Sequence, residues 1–399
     1  MISYEESIEI INKIPFSNIR TERVFLIDAI DRILAQDIIA SEDYPVYPTS
    51  SMDGYAVCFD DLSIGNKIVI LGDNPAGAEV VESVTAGKCI KTFTGSLLPS
   101  GADTLIPIEN VTVLENTIQI NTLVPKGFAI RPVGESYRKF EILIPKGTKL
   151  GFAEIGVLAG INQVMIDVVV KPRVAILATG SEILDIGESA HHIGQIRSSN
   201  NYTLQALMVK AGAQPIQMGI VQDDYNDIVS RFREALRSSD IIITTGGVSV
   251  GDYDFVKDII PSLGATVLFK GVLIKPGQHV MVAQLEEKFI IALPGFAYSS
   301  TVTAILYAFP LLAKMMGLES GFDIVKAKLR TPVKKSSQKT EFVACNLTYS
   351  DGLYWCDFDG KKSGSSAILT NLLGDAGLMV TEPGNIEFSA GESVSVIKL

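Results

Sequence analysis

The chain has little cysteine and little histidine. Four cysteines (Cys58, Cys89, Cys345, Cys356) form no C-x-x-C pair, and three histidines (His191, His192, His279) are scattered. Those spacings exclude a zinc cluster and lead us to expect reduced, structural thiols and a cytoplasmic location. Positive charge is also short: 34 Lys and Arg stand against 45 Asp and Glu, a formal charge of −11 over 399 residues. That argues against a nucleic-acid surface and an anionic membrane, but leaves room for a local cradle around a small anion. No apolar run approaches the roughly 18 residues of a membrane span, and no basic-then-apolar segment opens the chain. Neither secretion nor membrane insertion is expected. The composition, 47% hydrophobic and 20% charged, is globular. The length suits about two to four domains.

The texture changes twice along the chain. Ser3 and Glu6 predict a capping box for a helix over 3–14, with Tyr4, Ile8 and Ile11 on one face. Residues 21–40 read as a second helical segment. From about 50 to 150 the pattern is β-rich, with strands expected at Lys67–Leu71, Glu79–Val84, Thr104–Pro107 and Thr117–Ile120. A helix is expected over Ala153–Ala159. From Pro172 onward strands and helices alternate in a doubly wound α/β unit: strands at Val174–Ala178, Ile216–Val221, Thr266–Phe269 and Phe289–Ala292, and a helix over Ser299–Met315. After Gly321 the texture returns to strands.

Residues 244–257, Thr-Thr-Gly-Gly-Val-Ser-Val-Gly-Asp-Tyr-Asp-Phe-Val-Lys, hold the densest chemistry. A buried-looking run, Asp240–Ile243, leads into glycines, hydroxyls, carboxylates and a helical pattern. Strand, glycine loop and helix start make a phosphate cradle. Asp252 and Asp254 do not suit a bare phosphate and suggest a divalent cation beside it. The alternative is a tight turn with acids favouring the helix start. The polar loops 179–182, 222–224, 244–254 and 294–295 all follow strands, which puts them on one rim of the sheet, where ligands of open α/β sheets bind.

Several strings also carry a resemblance. They are Ser51-Met-Asp-Gly-Tyr-Ala-Val57, Thr94-Gly95, Arg131 with Gly134-Glu135, Ala178-Thr-Gly-Ser-Glu-Ile183, Arg197-Ser-Ser-Asn200, Asp223-Asp224, Gly246-Gly-Val-Ser-Val-Gly251, Lys275-Pro-Gly277 and Leu293-Pro-Gly295. In this order and over essentially the whole chain, the sequence resembles the molybdopterin molybdenumtransferases, the MoeA and gephyrin E-domain family. The resemblance implies an α/β multidomain fold: a discontinuous helical linker region (1–43 with 136–171), a β-rich inserted domain (44–135), a central molybdopterin-binding domain (172–321) and a small barrel-like C-terminal β domain (322–399). It implies a homodimer with each site shared between subunits. The implied activity inserts molybdate into adenylylated molybdopterin with release of AMP, assisted by Mg²⁺. A pterin adenylyltransferase would precede it and molybdoenzymes would follow.

On that resemblance Asp53 and Thr94, from the partner subunit, serve catalysis by positioning molybdate or a metal-bound water; Lys275, on a rigid Lys-Pro-Gly loop, is a catalytic candidate that pairs with phosphate or with molybdate. Gly246, Gly247, Ser249, Gly251 and Lys257 hold the pterin and its phosphate. Asn200 either joins them or only caps its helix; Ser363 and Ser365 are further contacts. Asp224, Asp254 and Glu182 are the metal-side acids. Three positions depart from the family pattern: Ser136 replaces an aspartate, Gln278 a lysine and Phe296 an asparagine. The departures keep open a tungstate-preferring or degenerate cofactor-binding paralogue. A pterin adenylyltransferase is the enzymatic alternative, opposed by the N-terminal β insert.

Overall fold

The computed structural model describes residues 1–399 except 17, 80–81, 248–254, 320, 336 and 363. The chain forms two compact units: Met1–Val24 with Asp31–Ile33 and Asp167–Leu399, and Phe25–Ile30 with Leu34–Ile166. The second unit holds a mixed six-stranded sheet in the order Thr104–Pro107, Gly54–Val57, Lys88–Thr92, Lys67–Asn74, Thr117–Ile120, Val111–Leu114. Tyr55, Ile68, Cys89, Ile106 and Ile118 fill its core. The expected helix is there as Phe152–Gly160.

Two expectations fail. Residues 21–40 are not helical: Thr21–Phe25 is a strand, Leu26–Ala29 a single 3₁₀ turn and Ile38–Ile39 a short strand. Thr21, Val24 and Phe25 favour extended backbone, and Asp31, at φ 60°, breaks the helical run. The described residues of Glu79–Val84 form no strand. Val84 is instead buried, its N–H donated to the Ser100 carbonyl.

The first unit opens with the helix Tyr4–Lys13, closed by the predicted capping box of Ser3 and Glu6. Its main sheet runs Gln214–Val221, Arg173–Thr179, Ile241–Thr245, Lys288–Leu293, Met281–Leu285, Thr266–Lys270. The first four strands are mutually parallel, and Met281–Leu285 runs antiparallel to both its neighbours, Lys288–Leu293 and Thr266–Lys270. The strand Met281–Leu285 was not legible as such; it forms a hairpin with Lys288–Leu293 through Glu286, at φ 53°. Ile176, Ile243, Phe289 and Ile291 are buried beneath the helices. The helix Ala297–Met315 is apolar nearly all round and buried over most of its length.

The C-terminal strands close on themselves. The ring runs Thr340–Ser350, Leu353–Asp357, Ile324–Leu329, Ser393–Lys398, Ala376–Thr381 and back to Thr340–Ser350. Closure of five strands makes the expected small β barrel, with Cys345, Cys356, Met379 and Val396 inside. A two-residue strand, Ile274–Lys275, adds to it in parallel, pairing Lys275 with Glu341. Among the described residues, no helix is long and apolar enough to cross a membrane.

Candidate active site

The strand register confirms the rim. Thr179 pairs with Val221, Ala178 with Thr245, and Thr245 with Leu293, so the four parallel strands end together. Their loops meet at backbone distance: a Cβ on Gly295 would stand 4.0 Å from Gly246 Cα. Gly246 is held at φ 90°, and a Cβ there would come within 2.8 Å of the Thr179 carbonyl oxygen. Only glycine takes that backbone without strain. The Gly246 N–H already donates to the Leu293 carbonyl at 3.2 Å, so it serves the loop's architecture. Gly247 packs beside Val256, which starts the helix Val256–Ser262, and its carbonyl accepts the Lys257 N–H. Ser249, Gly251 and Asp254, and Ser363 in the late loop, lie outside the described residues.

The rim acids divide by task. Asp224 caps the helix Tyr225–Ser238: its Oδ1 accepts the N–H of Asn226 at 2.9 Å and of Asp227 at 3.0 Å. Replacing it with alanine is expected to cost about 1 kcal/mol of stability, read from urea denaturation; an unchanged midpoint would remove the cap from the account. Asp223 is tied to Ser181, taking its N–H at 3.1 Å while the Ser181 hydroxyl accepts the Asp223 N–H at 3.2 Å. Glu182 is exposed, its carboxylate against Gly180. Nearby, the Tyr202 hydroxyl (2.6 Å) and the Ile186 N–H hold the Asp185 carboxyl below the usual carboxylate range. A cavity of about 260 Å³ opens here, lined by Gly180, Ser181, Asp185, Glu188, Gln195 and Gln222. Among the described residues, no group of three His, Cys, Asp or Glu is arranged to hold a metal.

Asn200 does not cap its helix; Ser199 stands at that position. Its Nδ2 donates to the Gly295 carbonyl at 2.7 Å, and its Oδ1 accepts from the Ser300 hydroxyl at 3.2 Å. Asn200 thereby fastens the Pro-Gly loop to the rim.

A second corner lies where this domain meets the barrel. Gly277, two residues after Lys275, approaches the helix Ala297–Met315 so closely that a Cβ on it would stand 2.2 Å from Thr303 Cγ2. Gly277 has φ 94°. The Ser366 carbonyl accepts the N–H of Ser299 in that helix's first turn at 3.1 Å, which brings Ser365 alongside in the same chain. From the barrel, the Lys339 ammonium donates to the Gln278 amide oxygen. Behind it, burial lowers the Lys335 ammonium below its ordinary range against the pull of Glu341. Lys275, on the strand beside Glu341, and Lys339, on Gln278, thus belong to one loop–barrel junction that abuts a 19-residue helix; cations and a helix start are groups that suit an oxyanion. Sequence reasoning missed Lys339. It sits in a lysine- and serine-rich run that reads as solvated surface, and Gln278 was noted only as a lysine lost.

Asp53 and Thr94 meet in the other unit. Asp53 Oδ1 accepts both the Thr94 N–H, at 2.8 Å, and its hydroxyl, at 3.0 Å. Next to Gly95 a cavity of about 410 Å³ is lined by Tyr44, Thr49, Leu97, Arg131 and Tyr137. Arg131 pairs with Glu135, and its Nη2 donates to the Ser136 hydroxyl at 3.3 Å. The serine at 136 accepts this hydrogen bond without carrying a negative charge. Phe296, the third departure, is an exposed side chain directly before the helix Ala297–Met315 and gives it no side-chain cap.

Comparison with known proteins gives three family matches. Residues 2–161 match the MoeA N-terminal region (domains I and II), 175–314 the probable molybdopterin binding domain, and 326–399 the MoeA C-terminal region (domain IV). A molybdopterin molybdenumtransferase of Nostoc is 34% identical over 95% of this chain and 89% of its own length. One from Bacillus subtilis is 30% identical over 94% of this chain and 89% of its own. The crystal structure of the molybdopterin biosynthesis MoeA protein of Pyrococcus horikoshii superposes with a TM-score of 0.84, at 28% identity and over the full length of both chains. The chain belongs to the MoeA family, that of the molybdopterin molybdenumtransferases.

Proposed function

We propose that this protein is a molybdenum insertase, transferring molybdate into adenylylated molybdopterin and releasing AMP. The carrying observation is the corner of Lys275, Gln278-bound Lys339 and the start of the helix Ala297–Met315. It sets the Gln278-bound Lys339 on the loop that carries Lys275, against a helix whose start adjoins the Pro-Gly loop of the glycine rim, the kinds of group that receive a compact dianion and a phosphate. The ammonium on Gln278 also weakens the case for a degenerate paralogue, because the cation missing from position 278 returns from position 339.

Mg²⁺ fits the rim acids. It takes oxygen ligands, often one or two carboxylates together with substrate phosphates and water. Asp224 binds its cap through Oδ1, leaving Oδ2 for a cation, and Glu182 follows the neighbouring strand. When bound, the ion would neutralise the phosphates and polarise phosphorus. Lys257 and the Gly247 turn orient the pterin phosphate, Asn200 keeps the Pro-Gly loop in place, and Ser365 borders the oxyanion.

Asp53 and Thr94 reach the site from a second copy of the chain in this reading. Support comes from apolar side chains exposed on their own unit: Phe152 is 90% exposed, Phe140 77% and Ile27 62%, and the paired Ile39 and Ile142 are exposed as well. Exposed apolar area of that kind marks an association surface. The four free cysteines suit a reducing compartment such as the cytoplasm. A pterin adenylyltransferase would supply the substrate, and molybdoenzymes would take the product.

The test is reconstitution. Purified protein, adenylylated molybdopterin, molybdate and Mg²⁺ are expected to yield molybdenum cofactor and AMP in equal amounts, and chelation is expected to stop both. AMP release without metal capture, or full turnover under chelation, would overturn the insertase or the Mg²⁺ assignment respectively.

A further inference from the structure

The Gln278 side chain stands between two partners. Lys339 Nζ donates to its Oε1, and its Nε2 lies 2.9 Å from His279 Nε2. An ammonium has donors only, so the amide must turn its oxygen to Lys339 and its NH₂ to His279. The NH₂ also only donates. His279 Nε2 must therefore accept, which requires a neutral imidazole with its proton on Nδ1. One lone pair on His279 fixes the amide, and the amide fixes the ammonium.

We propose that Gln278 and His279 are positioning residues that hold Lys339 at the oxyanion corner, and that capture of the oxyanion requires neutral His279. The inference rests on the oxyanion reading of that corner given above. A lysine ammonium is a point charge on a flexible stem, so it keeps one place only where a fixed acceptor holds it. Protonation of His279 puts an N–H against the amide NH₂. Rotating the amide only moves the conflict, because its NH₂ then faces the Lys339 ammonium. Either way the amide is no longer anchored by both neighbours, and Lys339 loses a fixed acceptor.

Other charges face this corner. Lys275 shares the loop, Lys335, Lys339 and Glu341 lie on the barrel side, and the Met1 side chain, hence the amino terminus, packs near Gly271. The helix Ala297–Met315 contributes the Ser299 and Thr303 contacts and no charge in its first turn. Charge alone would make acid strengthen anion binding, since an imidazolium adds attraction. Positioning predicts the opposite sign.

The measurement is the molybdate dissociation constant of the full-length protein by calorimetry, at about pH 8 and about pH 5.5, across the range in which histidines protonate. The native protein is expected to bind about tenfold more weakly at the lower pH, the scale of one hydrogen bond to a charged group. His279→Phe should bind weakly at both. Gln278→Glu accepts from Lys339 and from a protonated His279 alike, so its affinity should hold or improve with acid. Thermal unfolding of each variant at both pH values separates misfolding from mispositioning. Tighter native binding in acid, or His279→Phe binding like the native protein at about pH 8, overturns the proposal while leaving the oxyanion corner standing. No molybdate binding by the native protein at either pH overturns the corner itself.

Discussion

Asp53→Ala is expected to lower the turnover of molybdenum-cofactor formation by about 100-fold or more, the scale on which a misplaced reacting group is penalised. Both bonds that shape this pair run through one oxygen. Asp53 Oδ1 takes the backbone and the hydroxyl of Thr94, and the two residues are exposed rather than packed. Stability should therefore change little, within about 1 kcal/mol of the native protein. Asp53→Asn is the informative partner, because its amide oxygen can still accept both bonds. It should fold and hold Thr94 as the native protein does, yet remain slow, which assigns the loss to the missing carboxylate. Native turnover in Asp53→Ala would take this pair out of the mechanism. Mixing extends the test. If sites are shared across a two-fold dimer, inactive Asp53→Ala and inactive Lys275→Ala chains recombine to leave one intact site in each mixed dimer. Re-equilibrated equal mixtures should then recover about a quarter of native activity. No recovery, with subunit exchange demonstrated, would place both halves of the site in one chain.

Gly277→Ala is expected to be the most disruptive single methyl in the corner proposed to receive the anion. The backbone there has φ 94°, and the new Cβ would stand 2.2 Å from Thr303 Cγ2. Left-handed strain and overpacking each cost about 1–3 kcal/mol, so a loss of about 3 kcal/mol is expected in urea denaturation. The molybdate KM should rise about tenfold or more, since the loop carrying Lys275 and Gln278 must move. Adding Thr303→Ser removes the offending methyl while keeping the hydroxyl that donates to the Ser299 carbonyl at 2.7 Å. The double variant should regain the packing part of the loss and none of the backbone part. A loss below about 0.5 kcal/mol in the single variant, the size of an ordinary surface change, would show that the loop yields at this point.

Much of this fold was readable because local preference and burial agreed. The strands Thr104–Pro107 and Thr117–Ile120 have their predicted bounds, and the four rim loops end parallel strands as the alternation of elements implied. The failures are where the two disagreed. Residues 21–40 have spaced apolar side chains that look helical, but extended-favouring residues and the left-handed Asp31 decide otherwise. Met281–Leu285 carries no break before its hairpin turn, so its apolar residues merged with the neighbouring loop. Asp53 with Thr94 could be paired through the family strings, and the structure brings them together. Lys339 could not be paired with Gln278 in this way. They are 61 residues apart, and only the parallel addition of Ile274–Lys275 to the barrel makes them neighbours.

That addition has a mechanical consequence. A closed ring has no terminal strand to peel away, and Lys275 is hydrogen-bonded to it as an extra rung. The loop bearing Lys275 therefore borrows the barrel's stiffness. On the proposed function, an oxyanion entering the corner would meet walls of fixed width, and discrimination would be a matter of radius and charge rather than of a closing movement.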